Sequence, residues 1–212
     1  MKKILSFFAV CLLSLNVSAQ TLKEGVHYEV ISEKGTEKPE VKEFFSFYCP
    51  HCLAFEPLAN KFKSLSEEKG FEFKKSHVDF LRAAGPDIQF MLTKALVTAE
   101  KLNKPQVSDA IFNRIHRQRS AFTGEDDVRQ IFIANGVTAE EFNKVFNSFA
   151  IKAAAKRMKS EQNDLASKRI LTGVPTFIVN GKYKIINSGF EARTYSQLFE
   201  QLESAALELV KK

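Results

Sequence analysis

The sequence predicts an α/β domain interrupted by an all-helical insertion, and three observations carry that expectation. Runs rich in Val, Ile, Phe and Tyr lie at residues 28–32, 41–47 and 71–80 near the start, and again at 176–186 near the end. A helical recurrence of apolar residues, Cys52, Phe55, Ala59 and Phe62, fills the space between the second and third runs. From Asp87 to about Arg169 the chain carries helical periodicity alone.

Each element has its own signal. Gly35 and Pro39 separate the first two strands, and Lys69-Gly70, a cation followed by a C-cap residue, ends the first helix, with Pro57 expected to kink it. Strand, helix and strand over 41–80 form a unit for which a parallel crossover is expected. Ile88, Met91, Leu92, Ala95, Ala99 and Leu102 mark an amphipathic helix stopped by Pro105. Thr138-Ala-Glu-Glu141 reads as a capping box opening a helix that carries Phe142, Val145, Phe146 and Phe149. Strand chemistry resumes at Thr176–Val179, Asn180-Gly181 predicts a hairpin turn into 182–186, and a final helix runs from Tyr195 to about Val210.

The N-terminus is of another kind. Lys2 and Lys3 precede the apolar run 4–15, and Val17-Ser18-Ala19 suits signal peptidase, so 1–19 reads as a cleaved secretory leader with Gln20 first in the mature chain. That apolar run is short for a transmembrane helix and no later one is long enough, so a soluble mature protein in an oxidising compartment is expected. Once the two leader lysines are gone the formal charge falls from +6 to +4, with Lys and Arg interleaved among Asp and Glu. This pattern argues against nucleic acid as a partner.

Function is expected at Phe47-Tyr-Cys-Pro-His-Cys52. The sequence holds three cysteines, and removal of Cys11 with the leader leaves Cys49 and Cys52 alone. Cys49 falls where a strand ends and a helix begins, with Pro50 at the first helical position, which suits its fixed φ and missing N–H. Its sulfur then faces unpaired backbone N–H groups and the positive end of the helix dipole, both favouring thiolate, and His51 adds a further stabilising contact. Cys52 lies one turn in on the apolar phase. Cys49 is therefore expected to exchange with substrate and Cys52 to resolve. Stabilising the thiolate makes the disulfide easier to reduce and the protein a stronger oxidant.

Glu43 alternates with Val41, Phe45 and Phe47, and Lys75 with Phe71 and Phe73, so an acid and a base share apolar strand phases. Buried, they should pair and serve the proton that thiol exchange moves; the alternative is two exposed charges on edge strands. His77 and His116 read as packing or surface residues, and Phe80 and Leu81 as candidate lining of a substrate groove. A zinc site is disfavoured because it needs about four ligands and no second cysteine pair exists. A structural disulfide remains an alternative, although a two-residue spacer constrains little of the unfolded chain. No metal or other cofactor is expected beyond the Cys49-Cys52 disulfide itself.

With its leader, its insertion and the run Glu43-Phe-Phe-Ser-Phe-Tyr-Cys-Pro-His-Cys52, the mature chain resembles over essentially its whole length the DsbA family of bacterial periplasmic thiol:disulfide oxidoreductases, within the thioredoxin superfamily. The resemblance implies a thioredoxin fold, residues 20–81 and 170–212, with an inserted all-helical domain at 82–169. It implies that the Val174-Pro175 bond is cis and lies against the cysteines, with the Val174 backbone offered to an extended substrate. It also implies that Glu43 and Lys75 match the family's buried acid and lysine, and Glu56 an acid near the site. Pro57 and the small Ala54 depart from the best-known member, which bears on the helix geometry and the rim of the site. The implied partners are newly secreted proteins with free thiols and a DsbB-like membrane oxidase linked to quinone, and the implied location is the periplasm. A reductase or isomerase would use similar chemistry, though no dimerisation module is visible and a monomer is expected. A chaperone-like binding module whose disulfide is incidental is the alternative outside catalysis.

Overall fold

The computed structural model describes residues 21–212, so the expected leader, with Cys11, lies outside the described residues. Five strands form one sheet in the order β1-β5-β4-β2-β3, with β1 at Tyr28–Val30, β2 at Glu40–Phe45, β3 at Glu72–His77, β4 at Thr176–Val179 and β5 at Tyr183–Ile185. β2 and β3 are parallel, joined by helix α1 (Pro50–Lys69), as the strand-helix-strand pattern predicts. The other pairings are antiparallel. The hairpin turn is as expected: Asn180 and Gly181 both have positive φ, 51° and 61°, and the Lys182 N–H closes on the Val179 carbonyl at 2.9 Å. Asn180 also accepts from the Glu40 N–H and donates to the carbonyls of Leu209 and Val210, which ties the hairpin to helix α7 (Tyr195–Leu209).

Between β3 and β4 lie α2 (Pro86–Lys101), α3 (Gln106–Phe112), a wider turn at Asn113–Arg117, then α4 (Glu125–Ala134), α5 (Ala139–Phe146) and α6 (Phe149–Ser167). The predicted stripe through Phe149 breaks here. Thr138 caps α5 by accepting from the Glu141 N–H at 3.1 Å, but that helix stops at Phe146, and Ser148 opens α6 by accepting from the Ile151 N–H at 3.3 Å. Restarting the helix rotates Phe149 off the buried stripe, leaving it 87% exposed while Phe142 and Phe146 are fully buried. A serine cap outweighs one more apolar position in phase.

The core follows the sheet faces. Phe55, Leu58 and Phe62 of α1 pack with Val41, Phe177 and Val179 of the sheet and Leu202, Ala205 and Leu209 of α7. A second cluster joins Phe45, Phe47, Cys49 and Cys52 to Leu92, Ala95, Ile111, Phe112, Phe132 and Phe142 from the helices between β3 and β4. The sulfurs therefore sit within the apolar contact between the sheet and those helices.

Candidate active site

The site begins where β2 runs out. After Phe45 the chain turns, with the Cys49 N–H donating to the Ser46 carbonyl at 3.0 Å and the Tyr48 N–H to Ser46 Oγ at 3.2 Å. Cys49 is then extended (φ −94°, ψ 114°) as the N-cap of α1, with Pro50 first in the helix. Its sulfur does the work usually given to a serine or aspartate oxygen, accepting from the Cys52 N–H at 3.3 Å. At the other end Gly70, left-handed at φ 72°, closes the helix onto the Ser66 carbonyl at 3.1 Å. The helix runs unbroken through Pro57, which lies on its exposed face, so that departure leaves the element intact. Ala54 is half-buried.

Both thiols are free, Cys49 6% exposed and Cys52 not exposed at all. Hydrogen bonding with the Cys52 side chain lowers the Cys49 pKa to about 6; the backbone N–H groups of Cys52 and His51 and the charge of His51 act the same way, against the cost of burial. Burial drives the Cys52 thiol the opposite way, upward, reinforced by its role in that bond. Cys49 Sγ lies 3.5 Å from the Val174 carbonyl oxygen. The Val174-Pro175 bond is cis, and the segment is held by Thr176 Oγ1 donating to the Gly173 carbonyl at 2.8 Å and by the Asn187 side chain donating to the Pro175 carbonyl at 3.1 Å.

Beneath the sulfurs Glu43 and Lys75 are paired residues of adjacent strands, as their shared alternation predicts. Glu43 is fully buried, and its Oε2 lies 3.3 Å from Lys75 Nζ. Lys75 also pairs with Glu56 of α1 and stands 4.2 Å over the Phe45 ring. Glu43, Lys75 and Glu56 thus form one cluster. Burial raises the Glu43 pKa to about 7 although Lys75 opposes it. Burial works against the Lys75 charge, but Glu43 and Glu56 prevail and hold its pKa above the ordinary value. A cavity of about 880 Å³ opens onto Glu56 and Lys75 from the side of α2 and α3, so the cluster meets solvent away from the sulfurs.

Two residues at the site carry no local signal in the sequence. Tyr195, the first residue of α7, places its hydroxyl 3.2 Å from His51 Nδ1 and packs its ring on Phe55 and Phe199. His116 places Nε2 2.7 Å from the Phe47 carbonyl oxygen, one residue from the motif's tyrosine. His77, by contrast, is a packing residue: burial depresses it to about 3, and its ring lies against Phe45 and Phe47. Phe80 is 38% exposed and Leu81 packs against the clustered helices. Among the described residues no group of three or more His, Cys, Asp or Glu is placed to hold a metal ion. None of the helices there is long and apolar enough to cross a membrane.

Residues 40–203 match the model of the DSBA-like thioredoxin domain. The chain is 34% identical to the thiol:disulfide interchange protein DsbA of Pectobacterium carotovorum, over 100% of both chains, and 35% identical to that of Haemophilus influenzae over 89% of this chain and 90% of the relative. Among solved structures, Proteus mirabilis DsbA, carrying a Cys-to-Ser substitution and a non-covalently bound peptide, superposes with a TM-score of 0.77 at 31% identity, covering 91% of this chain and 100% of its own. Klebsiella pneumoniae DsbA gives 0.76 at 27% identity over 92% and 100%. A dithiol at the helix end of a thioredoxin fold, a stabilised outer sulfur and these matches have one reading: the chain belongs to the DsbA family of thiol:disulfide oxidoreductases, which act through their own disulfide.

Proposed function

We propose that this chain is a periplasmic dithiol oxidase that donates a Cys49-Cys52 disulfide to newly translocated proteins. The observation that carries the reading is the unequal setting of two sulfurs one helical turn apart: Cys49 caps the helix and accepts from the Cys52 N–H at 3.3 Å, which favours its thiolate, while Cys52 is fully buried, which favours its thiol. A substrate thiolate attacks Cys49 Sγ, the Cys49–Cys52 bond breaks, and the electron pair leaves on Cys52, which takes up a proton. A second substrate thiolate then attacks the substrate sulfur of the mixed disulfide. The product leaves with its disulfide, Cys49 departs as thiolate, and the protein holds the two electrons.

The remaining residues support this sequence of steps. Pro50 and His51 shape the helix end that stabilises Cys49. Val174 and Pro175 flank it, the Val174 backbone serving an extended substrate by β-strand addition; the peptide bound to Proteus mirabilis DsbA is consistent with such a surface. Glu43, half-protonated near neutrality, can supply the proton Cys52 needs, with Lys75 and Glu56 holding it in place. A quinone-linked, DsbB-like membrane partner would remove the electrons. Residues 20–81 and 170–212 would serve as the thioredoxin-like scaffold and 82–169 as the insertion domain of a monomer carrying a cleaved leader at 1–19.

The deciding experiment is the redox equilibrium of mature protein against glutathione, read by alkylation and mass analysis because the chain has no Trp to report by fluorescence. The proposal expects the disulfide to be reduced far more readily than a structural one, and resistance to glutathione would overturn it. Replacing Cys52 by Ser removes the disulfide that a substrate thiolate would attack and should abolish oxidation; offered glutathione disulfide instead, the Cys49 thiolate should displace one glutathione thiolate and accumulate as the mixed disulfide, with no Cys52 thiol to displace the other.

A further inference from the structure

Several polar contacts hold the loop that presents Cys49. Two of them, from the Cys49 N–H to the Ser46 carbonyl and from the Tyr48 N–H to Ser46 Oγ, lie within the loop and would turn with it as a unit. Outside the loop, Cys49 Sγ meets the Val174 carbonyl at 3.5 Å and the Tyr48 side chain bonds with the Phe122 backbone, and a further contact is made by the loop's own backbone. Phe47 is fully buried, so its carbonyl needs a partner, and that partner is His116 Nε2 at 2.7 Å, from a residue 69 positions along the chain.

His116 sits within an irregularity of its own element. At Asn113–Arg117 the helical turn widens, and the Gln118 N–H bonds back five residues to the Asn113 carbonyl at 3.0 Å. Such widened turns gather at functional sites. The ring rests tilted on Phe112, 6.0 Å between centroids, and Phe112 packs edge-on against Phe47 at 5.0 Å. The hydrogen bond therefore ends a packed column running from the helices beyond β3 into the Cys49 loop.

We propose that His116 is a positioning residue for thiol exchange, fixing through the Phe47 carbonyl the orientation in which Cys49 caps its helix. The inference rests on the reading of Cys49 as the attacking sulfur. The bond from the Cys52 N–H to Cys49 Sγ, at 3.3 Å, depends on that orientation. Without His116 the buried carbonyl would turn to find another donor and carry the Tyr48 and Cys49 dihedrals with it. Neutral imidazole protonated at Nε2 and imidazolium both donate from that nitrogen, so the contact needs an N–H and no particular charge. A glutamine can supply one.

The test uses full mature protein with His116→Leu, His116→Gln and, as a packing control, Phe146→Leu, each followed by thiolate absorbance at 240 nm, glutathione equilibrium and urea unfolding. His116→Leu should raise the Cys49 midpoint by about one unit and weaken the oxidising equilibrium about tenfold, while His116→Gln stays within about twofold of the parent. Phe146→Leu, fully buried and stacked on Phe142 rather than on His116 or Phe47, should lose stability with Cys49 unmoved. A His116→Leu protein with the parent's Cys49 midpoint and glutathione constant would overturn the proposal. Should that variant not fold, the long-range ¹H–¹⁵N spectrum of the unmodified protein decides, since His116 must be protonated at Nε2 and a bare Nε2 sinks the idea. An ordinary Cys49 midpoint in the unmodified protein would instead refute the oxidase reading, whatever His116 does.

Discussion

At the scale of residues, the site separates charges that the chain places close together. Cys49 ionises near 6 against an ordinary 9.0, so in the reduced protein its thiolate contributes stability that is complete above about 9 and is lost as pH falls through 6. Absorbance at 240 nm should titrate with a midpoint near 6, and Cys49→Ser should remove both that transition and all exchange activity. Glu43 moves the opposite way. With its folded pKa raised to about 7 from 4.5, its stabilising share is full below about 4.5 and is lost as pH rises through 7. Glu43→Gln should therefore gain on the order of 2 kcal/mol in urea unfolding at pH 8 and nothing at pH 4. It should also slow oxidation if the carboxyl delivers the proton to Cys52. Glu43 and Lys75 were legible because strand alternation is a local rule; the register that sets them opposite each other is a finding of the structure. Glu56 was reachable through resemblance alone, since nothing in helical phase says which lysine it will meet. His116 and Tyr195 escaped entirely: their partners lie 69 and 144 residues away, and one partner is a backbone carbonyl that has no sequence code.

Elements obey local signals until a cap competes with an apolar phase. The strand-helix-strand unit, the Asn180-Gly181 turn and the two ends of α1 follow from Pro50, Gly70 and alternation, each a rule that acts within a few residues. The spacing of Phe142, Val145, Phe146 and Phe149 satisfies one continuous helix equally well. Ser148, a good N-cap in the middle of that run, was the available signal that the helix restarts. The two phenylalanines should consequently respond very differently to truncation. Phe146→Ala, fully buried and stacked on Phe142 at 4.7 Å, should cost about 3–5 kcal/mol in urea unfolding. Phe149→Ala should change stability by less than about 0.5 kcal/mol. At the end of α1, Gly70→Ala should cost about 1 kcal/mol, because a Cβ is disfavoured at φ 72° even though open space surrounds it.

For the molecule as a whole, one apolar cluster contains both sulfurs and the inner faces of the helices between β3 and β4. Redox state and global stability are therefore coupled. Forming the disulfide withdraws the hydrogen bonding that favours the thiolate, so the stability of the reduced form relative to the oxidised form should climb as pH rises from 5 to 8. Thermal unfolding of both forms at the two pH values checks this, and a pH-independent difference would contradict it. The burial of Cys52 has a temporal consequence as well. In the proposed reaction, an enzyme sulfur held as thiol and closed off from solvent is a slow agent of release, so a captured chain stays tethered until its own second cysteine arrives. A chain whose two cysteines are near neighbours leaves at once with its bond made. One whose partner cysteine has yet to emerge is kept waiting, and the order in which proteins are served becomes a property of their own folding rather than of any recognition by the enzyme.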